Sequence, residues 1–144
     1  MSLILMSIYA PFALSDLKNL SFEILALIFL LAFVGIFLGV TFYYEALRLG
    51  NRALVGSITA SFSAVTVVLS LIFLGDKISS QQLLAIIIIF TGLTLAIFDL
   101  RSIKARDFLT RPVFFAFLTM LSWGAYFAFI KIPVKEIGWF WPNY

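Results

Sequence analysis

Four hydroxyl side chains share one face of an apolar stretch: Thr59, Ser63, Thr66 and Ser70 fall at i, i+4, i+7 and i+11. Helical geometry stacks such positions above one another, so the stripe runs the length of a helix. Facing a bundle interior, it would line a polar cavity for a small solute. The other reading is that each hydroxyl donates to a carbonyl three or four residues earlier and binds nothing. A shorter stripe, Thr119, Ser122 and Tyr126 with Trp123 adjacent, repeats the pattern nearer the C-terminal end. These eight residues are the candidate substrate-binding set, and their chemistry is hydrogen bonding and stacking.

Covalent chemistry has little to draw on. There is no histidine and no cysteine, which removes imidazole bases, thiol nucleophiles and the common zinc ligand sets. No nucleophile–base pair, phosphate-cradling glycine loop or metal-ligand cluster is present in the pattern, and the seven carboxylates all lie near links. The expectation is a protein that is not an enzyme and uses no cofactor or metal. Ionisable groups near hydrocarbon are costly and point to use. Two qualify, Glu45 after Tyr43-Tyr44 and Lys131; snorkelling to the interface is the alternative for both. Asp76-Lys77 reads as a polar turn.

A second class of residue sets distances rather than chemistry. Gly56, Ala60 and Ala64 recur every four residues, as do Gly35 and Gly39. Small residues at that spacing let two helix backbones approach closely in lipid, so these five are the candidate helix-packing positions.

The elements that must carry these residues are long apolar runs. Ile24 to Tyr44 (21 residues), Ala53 to Gly75 (23), Ile78 to Phe98 (21) and Pro112 to Ile130 (19) contain no formal charge. Crossing a bilayer takes roughly 20 apolar residues in a helix, against about 9–11 of alternating polarity in a strand. The runs are therefore helices. The chain is 63% hydrophobic and 12% charged, against about 25% charge in a typical soluble domain. The net charge of +3 resides in the links, where cationic flanks belong in a membrane protein, and leaves no face for nucleic acid.

Helix ends can be read locally. Ser21 followed by Glu23 caps the second segment at its start, and Gly50-Asn51 breaks it near Leu47. The third segment spans Arg52 to Leu74 and stops at Gly75. The fourth starts after Ser79-Ser80 and ends near Asp99. Pro112 sits at a helix start, and Pro133 is expected to end that helix near Ile132. The tail from Gly138 to Tyr144, with Trp139, Phe140, Trp141 and Tyr144, reads as an interfacial aromatic anchor. Met1 to Leu14 is apolar but short, either a short first helix or the end of one begun earlier; the second is preferred. The fold class is all-α integral membrane, four full transmembrane helices plus a partial N-terminal one. Six Lys or Arg flank one side (Arg48, Arg52, Arg101, Lys104, Arg106, Arg111) and four the other (Lys18, Lys77, Lys131, Lys135). Positive-inside reasoning puts the Asp99–Arg111 link in the cytoplasm.

From Phe42 to Ile97 the pattern "FYYEALRLGNRALVGSITASFSAVTVVLSLIFLGDKISSQQLLAIIIIFTGLTLAI" resembles the repeat of the drug/metabolite transporter superfamily, EamA type. The matching features are Tyr-x-x-Ala-Leu-x-x-Gly, the small-residue helix, the Leu-Gly-acidic-basic turn and a last helix with a late glycine. Leu121 to Lys131 resembles the opening helix of the next repeat. The resemblance implies a ten-helix secondary transporter of two inverted five-helix repeats with a central solute site. On that mapping residues 1–99 form a first repeat lacking its first helix, 100–111 a charged link, and 112–144 the start of a second repeat. The family often has a proline where this chain has Phe62-Ser63-Ala64, usually Glu where Asp76 stands, and an early glycine where Ala85 stands. Its usual cytoplasmic start would put the Asp99–Arg111 link outside, against the charge count. The implied activity is alternating-access transport of small organic solutes, with the bilayer, a solute and the remaining half or a second copy as partners, in a plasma or inner membrane. The rival is a non-transporting scaffold or assembly subunit, or an inactive remnant.

Overall fold

The structure is a computed structural model, and it describes residues 20–75, 79–99 and 110–143, with Pro11, Leu14, Asp16 and Lys18. Regular structure among the described residues is helical, without strands. Most of the N-terminal stub, the Asp76-Lys77 turn and most of the charged link lie outside the described residues.

Helix α1 runs Phe22–Leu49. The Ser21 side chain accepts from the Ile24 N–H at 3.2 Å, the expected cap. Within α1 the segment Phe33–Leu38 is a π-helical turn, where the Gly39 N–H reaches the Val34 carbonyl five residues back. The helix ends at Gly50 in extended conformation, and the Asn51 side chain caps the next by accepting from Ala53 and Leu54 N–H groups.

Helix α2 covers Arg52–Leu74 in two parts, Arg52–Ala60 and Phe62–Leu74. The break is at Ser61. Just before it, Ser57, Thr59 and Ser61 each return a side-chain hydrogen bond to a carbonyl four residues earlier. Such back-bonding disturbs a helix, and Ser61, at ψ −2°, leaves regular helical geometry without a proline. Gly75 closes α2 in the left-handed region at φ 64°, a conformation that glycine adopts without steric cost.

Helix α3 is Ser80–Asp99. Its start is a capping box: the Ser79 N–H donates to Gln82 Oε1 at 3.0 Å and the Gln82 N–H to Ser79 Oγ at 3.3 Å. Helix α4 is Arg111–Phe129, with Pro112 in its first turn. It is followed by α5, Lys131–Ile137, and the short α6, Phe140–Asn143. Pro133 does not end a helix as expected. The break lies at Ile130, and Pro133 stands buried in the first turn of α5, where a helix needs no N–H donor.

Among the described residues, three helical stretches are long and apolar enough to cross a membrane, against the four full spans expected: Phe22–Leu49, Arg52–Leu74 and Arg111–Ile137. Helix α3 adds 20 residues. The outer surface is apolar, with Phe29, Ile72, Phe114 and others exposed, as hydrocarbon surroundings require. Helix α4 is the hub and packs on α1 and both parts of α2. Under its start lies the buried cluster Ala46, Leu54, Val55, Ile58, Val113 and Ala116. There the α1–α2 corner is tight: a Cβ at Gly50 would stand 2.5 Å from Pro112 Cβ.

Candidate functional site

The seam between α1 and α4 is built on glycine. A Cβ added at Gly35 would lie 2.5 Å from Tyr126 Cγ, and one at Gly39 would lie 2.7 Å from Trp123 Nε1. Both aromatic rings therefore occupy the space that any larger residue would fill. The glycine carbonyls are used as well. Trp123 Nε1 donates to the Gly35 carbonyl at 3.1 Å. Thr119 Oγ1 lies 3.4 Å from the Gly39 carbonyl and 3.0 Å from its own Phe115 carbonyl.

The α2–α4 seam repeats the device with the roles reversed. Gly124 is now on α4, where a Cβ would meet Val65 Cγ1 at 2.5 Å. Thr66 Oγ1 on α2 lies 3.2 Å from the Gly124 carbonyl and 3.0 Å from the Phe62 carbonyl of its own helix. In lipid a helix–helix hydrogen bond is worth about 0.6 kcal/mol on average. Such bonds therefore fix register more than they hold the bundle together.

Between these seams lies a cavity of about 320 Å³, lined by Gly35, Ile36, Val40, Phe62, Trp123, Tyr126 and Phe127. Its rings are mutually braced. Phe62 stacks on Phe127 at 5.2 Å between centroids and meets Trp123 edge-on at 5.9 Å. Tyr126 meets Phe127 edge-on at 5.2 Å, and Trp123 also lies against Tyr43 at 5.3 Å. Such edge and offset arrangements suit aromatic quadrupoles. The side chains lining the cavity carry two polar atoms, Trp123 Nε1 and the Tyr126 hydroxyl, and the first is already bonded to Gly35.

A second cavity, of about 150 Å³, separates α2 from α3 and is lined by Ser63, Ala64, Val67, Gln82, Ala85 and Ile86. Here the Ser63 hydroxyl reaches the Ala60 carbonyl at 3.5 Å.

The eight hydroxyl and aromatic candidates are thus divided among different roles. Trp123 and Tyr126 line the larger cavity and Ser63 the smaller. Thr59 is buried and donates to the Val55 and Gly56 carbonyls of its own helix. Thr66 and Thr119 reach across seams. Ser122 lies against Gly39, its Cβ 3.4 Å from where a Cβ there would stand. Ser70, 3% exposed, accepts from Lys131 Nζ at 3.1 Å. The packing candidates divide too. Gly35 and Gly39 lie under aromatic rings. A Cβ at Gly56 would meet nothing within 4 Å, Ala60 is exposed, and Ala64 borders the smaller cavity.

Phe62, Phe127, Ile36 and Val40 were not singled out by sequence reasoning, because apolar residues in an apolar run carry no local signal. Gly124 was missed as a lone glycine without a four-residue partner. Of the ionisable pair, Glu45 bridges to Arg48 on its own helix, with Arg48 Nε 2.8 Å from Glu45 Oε2. Lys131 reaches Ser70, which joins the helix after α4 to the end of α2.

No curated protein and no solved structure matches the chain. Residues 1–98 match the EamA-like transporter family, a stretch that takes in α1, α2 and nearly all of α3 while leaving α4 beyond it. Apolar spanning helices, seams closed on glycine and this match over most of the chain agree with one another: the chain belongs to the EamA-like transporter family.

Proposed function

We propose that the chain moves small organic solutes across a membrane by alternating access, within a ten-helix inverted-repeat bundle of the drug/metabolite type. The supporting observation is the aromatic cavity between α1, α2 and α4 in a chain of a transporter family. A solute there would meet the faces of Trp123, Phe62 and Phe127 and the hydroxyl of Tyr126. Ser63 and Gln82 would offer polar atoms at the smaller cavity. In this reading Thr66, Thr119 and Ser70 join helices, and the buried Thr59 stays within its own. The bilayer is plasma or inner membrane, and the other half-bundle comes from further helices or a second copy.

The test is solute uptake or efflux in cells expressing the chain, with Tyr126→Ala, Ser63→Leu and Thr66→Val. Tyr126→Ala is expected to lower transport at least about tenfold, the effect of about 1.4 kcal/mol on a binding step. Ser63→Leu is expected to lower it less, and Thr66→Val to act through stability alone. Transport unchanged by both Tyr126→Ala and Ser63→Leu would overturn the assignment of the solute path.

A further inference from the structure

The wall of the larger cavity has an unusual construction on the α1 side. Gly35 and Val40 both border the cavity, yet they are five residues apart. Around an α-helix, at 3.6 residues per turn, such positions diverge by about 140°. Gly35 stands inside the π-helical turn Phe33–Leu38 and Val40 two residues past its end; the wider turn brings the two nearer to one face, where Ile36 also lines the cavity. π turns are uncommon and weaken the regular ladder, so something must hold one in place. The Gly35 carbonyl lies in that turn and accepts the Trp123 indole N–H at 3.1 Å. An indole has a single donor, so this N–H is not offered to a solute. The ring packs against Tyr43 at 5.3 Å and Phe62 at 5.9 Å.

We infer that Trp123 is a positioning residue for this cavity: through its N–H bond to the Gly35 carbonyl it holds the π turn, and so keeps Val40 in the cavity wall. The inference rests on the reading of the cavity as a solute site, but it concerns how the wall is held and can fail separately.

The experiment exploits the absence of cysteine from the chain. Val40→Cys supplies one thiol, and its modification rate by a methanethiosulfonate reagent is measured on the chain in lipid nanodiscs, with and without indole as the probe solute. Position 123 is then replaced site-specifically by 3-benzothienylalanine, which keeps the bicyclic shape but has sulfur for N–H, and by 5-fluorotryptophan, which keeps the N–H. Loss of the N–H is expected to shift the thiol rate by about threefold, the size of one interhelical hydrogen bond in lipid, and to abolish protection by indole. 5-Fluorotryptophan is expected to restore both. If benzothienylalanine leaves the thiol rate unchanged, ring bulk alone shapes the wall and the inference is overturned. If indole protects in no version while the rates still separate benzothienylalanine from the N–H-bearing rings, the tie stands and the solute reading fails. Trp123→Phe is the simpler companion, and the near-isosteric analogue decides the matter should Trp123→Phe disturb folding.

Discussion

Gly35–Gly39 on α1 and Gly56–Ala60–Ala64 on α2 are two small-residue stripes with the same four-residue spacing, and they meet different fates. The first is covered by Tyr126 and Trp123, with 2.5 and 2.7 Å between added Cβ positions and ring atoms, and both of its glycine carbonyls take side-chain donors. The second meets nothing within 4 Å at Gly56, exposes Ala60, and leaves Ala64 beside a 150 Å³ cavity. Small residues permit close approach, but they do not cause it. What closes a seam is a partner side chain seated in the groove, a ring at Gly35 and Gly39 and Val65 at Gly124, with a donor in reach of the bared carbonyl. Helix α3 meets α2 with Gln82, Ala85 and Ile86, and a cavity remains between them.

That contrast can be broken by substitution. The largest effect is expected at the closed stripe. Gly35→Ala forces its new methyl onto Cγ at the root of the Tyr126 ring, an overpacking worth about 1–3 kcal/mol of destabilisation. A lowered thermal midpoint in micelles checks it, and an unchanged midpoint would mean the seam is not tight. Next comes Thr119→Val, which removes a buried donor while keeping the shape and is expected to cost about 0.6 kcal/mol in the same assay. A loss above about 2 kcal/mol there would mean that the hydrogen bond, rather than the ring filling, holds the seam.

At the open stripe the sign should reverse. Gly56→Ala adds a methyl where there is room and gains helix propensity of up to about 1 kcal/mol, so the midpoint should hold or rise. A fall would reveal a neighbour at that face. The smallest effect is expected far from both stripes, at the exposed pair on α1. Glu45→Gln should leave the thermal midpoint and its salt dependence unchanged, since such surface pairs contribute little.

The sequence made the helix ends legible because each is set by a few adjacent residues. Ser21 as a cap, Gly50 and Gly75 as stops and Ser79-Ser80 as a start each act within one turn, and the structure has them in those roles. Asn51, read as a breaker, instead caps α2, and the Ser79–Gln82 box is a feature of the structure. Features decided across the bundle were not legible. The π turn at Phe33–Leu38 depends on a donor 88 residues away. The helix break moved to Ile130 because a first-turn proline is as compatible with starting a helix as with stopping one. The hydroxyl stripe on α2 is evenly spaced, yet its members differ: Thr59 bonds within its helix, Thr66 is shared between its own helix and α4, Ser70 receives Lys131, and Ser63 borders a cavity. Periodicity identifies a shared face of a helix; which neighbour covers each level depends on the helices packed against it.

Three of the bonds that join the helices end on main-chain carbonyls, at Gly35, Gly39 and Gly124. A carbonyl belongs to every residue, so no substitution at those glycines can delete the acceptor. Mutation can disturb these joints in only two ways, by removing a donor or by adding bulk in front of the acceptor. The second is the larger target, since every non-glycine codon at those three positions adds at least a methyl. Inheritance of this architecture is therefore more vulnerable to side chains gained than to hydrogen bonds lost.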